Sequence, residues 1–206
     1  MKRLIVIGGS APSSFSFDRS SYGSVIAADS GYDTARRLSI PVDSVVGDLD
    51  STAYREEIEA MGIKACSHDK DESDTELAIS FGSGEYDLVG GGEGRIDHTL
   101  SLFSTFIRCG YPSLWFMRVD TVASLSGHVE ISADVGTELS FMSVEGAVHA
   151  RSDGLVWELD GFPLSSSSVS LSNRMRSSRV ILDIDGTVMM RMRAEDQGRI
   201  TIARSS

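Results

Sequence analysis

The sequence predicts an α/β protein in two parts, a mostly parallel sheet flanked by helices and then an antiparallel β-sandwich. Three observations lead there. Strand and helix signals alternate over roughly the first 120 residues, as in sheets covered by helices on both faces. Near residue 125 helical periodicity stops, and short alternating segments punctuated by Gly127, Gly136, Gly146, Gly154, Gly161, Gly186 and Gly198 take over. Four acidic clusters, all in the first half, each follow a short apolar run, so they fall at the C-terminal ends of successive strands. Ligands of an open α/β sheet bind at that edge. The expected parts are 1–124 and 125–206.

The elements follow in order. Leu4 to Ile7 is apolar and β-branched, and leads straight into Gly8-Gly9, which suits a first buried strand. Ser24 to Ala28 is a second strand, and Asp33 to Leu38 a short helix stopped near Pro41. Ser44 to Val46 is a strand, and Ser51 is placed to cap a helix running through Met61. Ile63 to Cys66 reads as a strand. Ser73-Asp74-Thr75-Glu76 fits a capping box that opens a helix to Phe81. Asp87 to Val89 is a strand ending in Gly90-Gly91-Gly92. Asp97 is placed to cap a helix with Leu100, Phe103, Phe106 and Ile107 on one face. Leu114 to Val119 is the last strand of the first part. In the second part the segments are Val129 to Ser132, Thr137 to Met142, Leu155 to Leu159, Val180 to Ile184, Thr187 to Met192 and Arg199 to Ile202.

Composition narrows the function. With 206 residues and 41% hydrophobic residues, a packed core is expected rather than disorder. The net charge of −11 argues against a nucleic-acid surface, which needs a basic face. No apolar run approaches the ~18 residues of a membrane span. The two cysteines, Cys66 and Cys109, form no metal or disulfide pattern and read as free thiols of a cytoplasmic protein.

Gly47-Asp48-Leu49-Asp50-Ser51 sets two carboxylates two residues apart; on an extended backbone both project to one side. Such a pair suits a hard cation such as Mg²⁺ shared with phosphates. The same residues also suit a polar strand-to-helix turn. Near a helix start, Asp69 and Asp71 are well explained by the helix dipole and Asp74, at the first helical position if Ser73 caps, less well. Gly90 to Gly94 followed by Arg95 lets backbone and a guanidinium approach phosphates, although a flexible turn reads the same. His98 beside Asp97 suits acid–base chemistry or a structural helix start. Val180-Ile181-Leu182-Asp183-Ile184-Asp185-Gly186-Thr187 matches the nucleophile motif of haloacid-dehalogenase-type phosphatases. Only about twenty residues follow it, too few for that fold, so a β-hairpin turning at Asp185-Gly186 is expected.

Taken together and in order, Ala28-Asp29-Ser30-Gly31, Gly47 to Ser51, Ser73-Asp74-Thr75-Glu76-Leu77-Ala78 and Gly94-Arg95-Ile96-Asp97-His98-Thr99-Leu100 resemble the motifs of bacterial-type thiamine pyrophosphokinases. Gly154-Leu155-Val156-Trp157-Glu158-Leu159 and Ser170-Leu171-Ser172-Asn173 resemble that family's thiamine-side signature. The resemblance covers nearly the whole chain. It implies a Rossmann-like nucleotide-binding domain followed by the sandwich, transfer of the β,γ-diphosphate of ATP to the thiamine hydroxyl, and a homodimer whose active sites lie at the subunit interface. Carried over by position, Asp48, Asp50 and Asp74 would hold Mg²⁺, with Asp71 close by as part of the catalytic set. Asp29, Ser30, Gly31, Arg95, Asp97 and His98 would bind ATP. Trp157, Ser172 and Asn173 would bind thiamine, a cation with aromatic rings that suits an acidic, Trp-bearing cleft. The chain departs from many relatives at Ser30, usually Gly, at Ser73, usually Thr, and at Leu102, usually Asn. Another Mg²⁺-dependent small-molecule kinase and a non-catalytic thiamine or nucleotide sensor are the competing readings.

Overall fold

The computed structural model describes residues 1–61, 72–92 and 95–204. The chain is mixed α/β and divides into two compact units, Met1–Arg118 and Val119–Ser206.

In the first unit, β1 (Lys2–Ile7), β2 (Tyr22–Ala28), β3 (Ser44–Val46), β4 (Tyr86–Val89) and β5 (Leu114–Phe116) form a parallel sheet in the order β3-β2-β1-β4-β5. The strands read as continuous apolar runs because both faces are covered. Leu4, Val6 and Val25 pack with Ala35, Leu38 and Phe116. The chain fills positions on one side of β1 first and on the other side afterwards. The order therefore reverses between β1 and β4, the position where open α/β sheets bind ligands.

Four helices accompany this sheet among the described residues: α1 (Gly31–Arg37), α2 (Arg55–Ala60), α3 (Asp74–Ser80) and α4 (Ile96–Cys109). The capping box of α3 is formed as expected, with Ser73 Oγ accepting from Glu76 N at 3.2 Å and Glu76 Oε2 accepting from Ser73 N at 2.9 Å. Three expectations about helices are corrected. Ser51 does not cap α2. Its hydroxyl donates to Asp50, while Asp33 holds the Thr52–Ala53 turn and the helix starts at Arg55. Asp97 does not cap α4, which begins at Ile96 with Asp97 inside its first turn. The buried face of α4 carries Leu102, Thr105 and Phe106, with Phe106 edge-on to Trp115, whereas Leu100 and Ile107 are exposed. The segment Ile63 to Cys66 lies outside the described residues.

In the second unit, β6 (Asp120–Ser132), β7 (Glu138–Met142), β8 (Ala150–Asp153), β9 (Ser170–Arg174), β10 (Arg179–Arg193) and β11 (Thr201–Arg204) pair antiparallel. β10 pairs with β6, β7 and β8. The expected hairpin at Asp185-Gly186 is absent. β10 runs straight through, and its register against β6 shifts between Ile184 and Val188. A bulge bends a strand without ending its pairing. Asp183 there meets His128 Nδ1 at 2.7 Å, and Asp185 Oδ1 accepts from His149 N at 2.7 Å, so both carboxylates of the phosphatase-like motif hold β-structure together. Leu155 to Leu159, expected as a strand, is an irregular segment touching the sheet through one bridge, Leu155 to Met175.

Candidate active site at the parallel sheet edge

The acidic groups of the first unit meet beyond the ends of β2 and β3. Asp29 follows β2, and its N–H donates to Val46 O at 2.8 Å, which ties it to the last residue of β3. Asp29 is 7% exposed and its backbone is left-handed, with φ 44°. Beyond β3, Leu49 also takes a left-handed backbone, with φ 61°. The side chain of Leu49 is buried beside Tyr32, Val45 and Ile58. The exposed Asp48 and Asp50 flank it, and Asp50 N donates to Asp48 Oδ1 at 3.2 Å. The two carboxylates thus come together around a turn anchored by a leucine, not along the extended backbone that the spacing suggests.

One carboxylate oxygen from each of Asp29, Asp48 and Asp50 lies within 4.8 Å of the other two. Oxygens about 2.1 Å from one Mg²⁺ stand roughly 3–4 Å apart, so small side-chain adjustments suffice to share a cation. Asp74, first residue of α3, joins from the far side of Gly47. A Cβ built on Gly47 would lie 3.0 Å from Asp74 Cγ and 3.1 Å from Asp29 Cβ, and the φ of 119° is one that other residues rarely adopt. Glycine lets the two acidic segments close on the β3 terminus.

Gathering like charges is unfavourable unless something positive offsets them. Among the described residues, the buried Asp29 Oδ1 has no hydrogen-bond partner. A buried carboxylate oxygen without a donor is costly, and a divalent cation satisfies it. The donor set is all oxygen, which suits Mg²⁺ rather than a softer metal.

A cavity of about 830 Å³ opens along this edge. Asp29, Ser30, Asp74, Arg95 and His98 line it, as do Gly8, Gly9, Ser10 and Gly91 at the reversal of strand order. The two glycine-bearing turns are pinned to each other, Gly91 N to Gly8 O at 2.9 Å and Ser10 N to Gly92 O at 3.1 Å. Close approach is built in at Gly90, where a Cβ would sit 2.3 Å from Ile7 O. Gly31, expected on the ATP side, does not line the cavity; it is buried and packed so tightly on β1 that a Cβ would come 2.1 Å from Val6 O. Arg95 grips Asp97 with two nitrogens, Nε to Oδ1 at 3.1 Å and Nη2 to Oδ2 at 2.5 Å. Hydrogen bonding from Arg95 holds the exposed Asp97 carboxyl below the usual carboxylate range. Asp71 lies outside the described residues.

Sequence reasoning missed part of this lining. Gly8, Gly9 and Ser10 carried a signal, a Gly-Gly directly after an apolar strand. Ser101 and Thr105 on α4 carried none, because their place on the wall depends on how the helix docks, whereas Leu102, noted in the sequence only as a departure from relatives, does line the cavity.

In the second unit, Trp157 is 59% exposed and Ser172 is exposed with a left-handed φ of 51° at the register shift between β7 and β9. Asn173 is fully buried. Its Nδ2 donates to Trp157 O at 2.7 Å and to Ser170 Oγ at 3.0 Å, and its Oδ1 accepts from Trp157 N and Arg174 N. That amide fixes the backbone under Trp157 and its hydrogen-bonding groups face inward.

Residues 19–115 match the family model described as thiamin pyrophosphokinase, catalytic domain. No curated protein sequence matches the chain. Among solved structures, the thiamin pyrophosphokinase from Geobacillus thermodenitrificans is 20% identical with a TM-score of 0.73, over 97% of this chain and 100% of that one. The Bacillus subtilis thiamine pyrophosphokinase is 20% identical with a TM-score of 0.73, over 94% of this chain and 99% of that one. The yeast enzyme is 12% identical with a TM-score of 0.70, over 93% and 86%. At these identities the structural likeness establishes a shared fold alone. The matched segment 19–115, just under half of the chain, contains all four ordered acidic motifs that resemble the thiamin pyrophosphokinase family.

Proposed function

We propose that this chain is a Mg²⁺-dependent thiamine pyrophosphokinase that moves the β,γ-diphosphate of ATP to the thiamine hydroxyl and releases AMP. The observation that carries the reading is the buried, unpartnered Asp29 Oδ1 beside Asp48 and Asp50 within the matched segment. Asp29, Asp48, Asp50 and Asp74 would hold Mg²⁺, which when bound supplies positive charge for the diphosphate and its developing negative charge. The first unit is read as a Rossmann-like ATP domain. Gly8, Gly9 and Gly91 would let phosphate oxygens approach the backbone closely, the Arg95 guanidinium would add positive charge there, and Ser30 and His98 would line the nucleotide path. Catalysis then rests on positioning and electrostatics, as in other phosphoryl transfers. An aspartate of the centre, with Asp71 as a further candidate, orients the attacking hydroxyl.

The second unit is read as a β-sandwich that takes thiamine. Trp157 offers an aromatic wall for a cationic ring, and Ser172 a hydroxyl. The saturated amide of Asn173 supports a role in holding Trp157 rather than in touching thiamine. A cytoplasmic homodimer with sites completed by the partner subunit belongs to the same reading. No helix among the described residues is long and apolar enough to cross a membrane.

The test is incubation with ATP, Mg²⁺ and thiamine, separating AMP, ADP and thiamine phosphates. Thiamine-dependent AMP with matching thiamine diphosphate is expected. ADP with thiamine monophosphate would instead make the protein an ordinary kinase, and binding without turnover a sensor.

A further inference from the structure

The carboxylate of Glu76 is shared between two jobs. One oxygen, Oε2, closes the α3 capping box through Ser73 N at 2.9 Å and Ser73 Oγ at 3.0 Å. The other, Oε1, is gripped by Arg108 in the last turn of α4, through Nε at 3.1 Å and through Nη2. The Glu76 side chain is 13% exposed, the Arg108 side chain 56%. Burial works against the Glu76 charge, but hydrogen bonds from Arg108 and Ser73 outweigh it and hold the carboxyl below its usual range.

The two helices so joined are two walls of one cavity. α3 begins with Asp74, held at the first helical position by the Ser73 cap. α4 contributes His98, Ser101, Leu102 and Thr105 to the same lining. The capping box fixes the first turn of α3 internally, while the Arg108 contact fixes that turn against a neighbouring helix. We infer that Arg108 is a positioning residue for the acidic centre: through Glu76 and the Ser73 cap it sets where Asp74 stands relative to Asp29 and the cavity wall. The inference rests on the proposed diphosphate-transfer reading for what the centre does, but its geometry stands without that reading.

Arg108 is not among the residues lining the cavity, so its effect is on register and not on charge at the reacting phosphate. The Arg108 end of the pair lies in solvent, which limits what the pair adds to overall stability, and partners that orient metal ligands alter metal affinity about 10- to 100-fold. Arg108 should therefore move the site more than it moves the melting temperature. A lysine keeps the point charge but loses the two-nitrogen grip.

The experiment uses the full chain with Arg108→Met and Arg108→Lys. Mn²⁺ binding is followed by electron paramagnetic resonance without nucleotide or thiamine, beside kcat, thiamine KM and thermal unfolding. Arg108→Met should weaken Mn²⁺ binding about tenfold and lower kcat by a similar factor. Thiamine KM and Tm should stay near wild type, and Arg108→Lys should recover at least half of the loss on a logarithmic scale. Wild-type Mn²⁺ affinity and kcat in Arg108→Met would overturn the inference. So would a loss that tracks a fall in Tm and that lysine leaves unrepaired, since that is a merely structural contact. Absence of thiamine-dependent AMP from the wild type would count against the proposed function alone, because the Mn²⁺ titration reads Arg108 without turnover.

Discussion

Each unit buries a polar side chain, Asp29 just past the end of β2 and Asn173 within β9, and the two are treated in opposite ways. In the parallel unit Asp29 Oδ1 is buried with no donor among the described residues, in a ring of further carboxylates. In the antiparallel unit Asn173 is buried with every donor and acceptor of its amide engaged. An unsatisfied buried oxygen weakens the fold and is tolerated where a ligand completes it. A saturated amide strengthens the fold and leaves nothing for a ligand. Burial alone would have ranked the two residues alike; hydrogen-bond accounting separates the proposed metal ligand from a residue that holds the backbone.

The sharpest way to break this contrast is to neutralise Asp29. Asp29→Asn should lower thiamine-dependent AMP formation by about 100-fold or more, the scale of losing a preorganised electrostatic group. Without metal, the same variant should melt at the same temperature as wild type or above it, because a buried unpaired charge has been removed. Product assays and thermal scans in EDTA read the two effects. A clear fall in metal-free Tm would mean that Asp29 is a structural residue after all.

Asn173→Ala tests the other half. It strips partners from the Trp157 backbone N–H and carbonyl, and unfolding in urea should show a loss of about 1–3 kcal/mol. Trp157 fluorescence should shift with it, while Mn²⁺ affinity, a property of the first unit, should not change. If stability were kept and only thiamine affinity fell, Asn173 would be a contact residue and the contrast would fail.

A smaller effect sharpens the acid side. Glu76 has a folded pKa below its ordinary value near 4.5. Its contribution to stability is therefore complete above that ordinary value and is lost as pH falls through the lowered one. The Tm difference between wild type and Glu76→Gln should be steady at neutral pH and shrink only once pH has fallen below the ordinary carboxyl value of 4.5. A difference that grew towards acid would reverse the sign of the assignment.

How much of this was legible beforehand depends on how local the cause is. The α3 capping box is a four-residue pattern, and it formed as written. Asp48 and Asp50 were marked by their place after a strand, yet the left-handed Leu49 between them was hidden, because the reason for it is a hydrophobic pocket made by Tyr32 and Ile58. Asp29 was read as shaping the nucleotide side, and its approach to Asp48 and Asp50 depends on β2 and β3 being neighbours. Asp185-Gly186 carried the local signature of a turn, but pairing with β6 and β8 on either side kept β10 continuous. The exposed Leu100 and Ile107 show the same limit on α4, where docking against Trp115 chose the face.

That uninterrupted β10 has a consequence for how the protein is made. Its register with β6 joins Arg193 to Asp120 and Arg179 to Ser132, and it is also the partner of β7 and β8. A hairpin would have let this region zip up from a local turn, whereas these pairings close only across long stretches of chain, which slows folding. On the ribosome the parallel sheet has all of its strands once Phe116 has emerged. The antiparallel unit must wait for β10, and until then its apolar strand faces have no central partner. The interval between those two moments is the window in which the nascent chain is most exposed to mispairing and most dependent on chaperones.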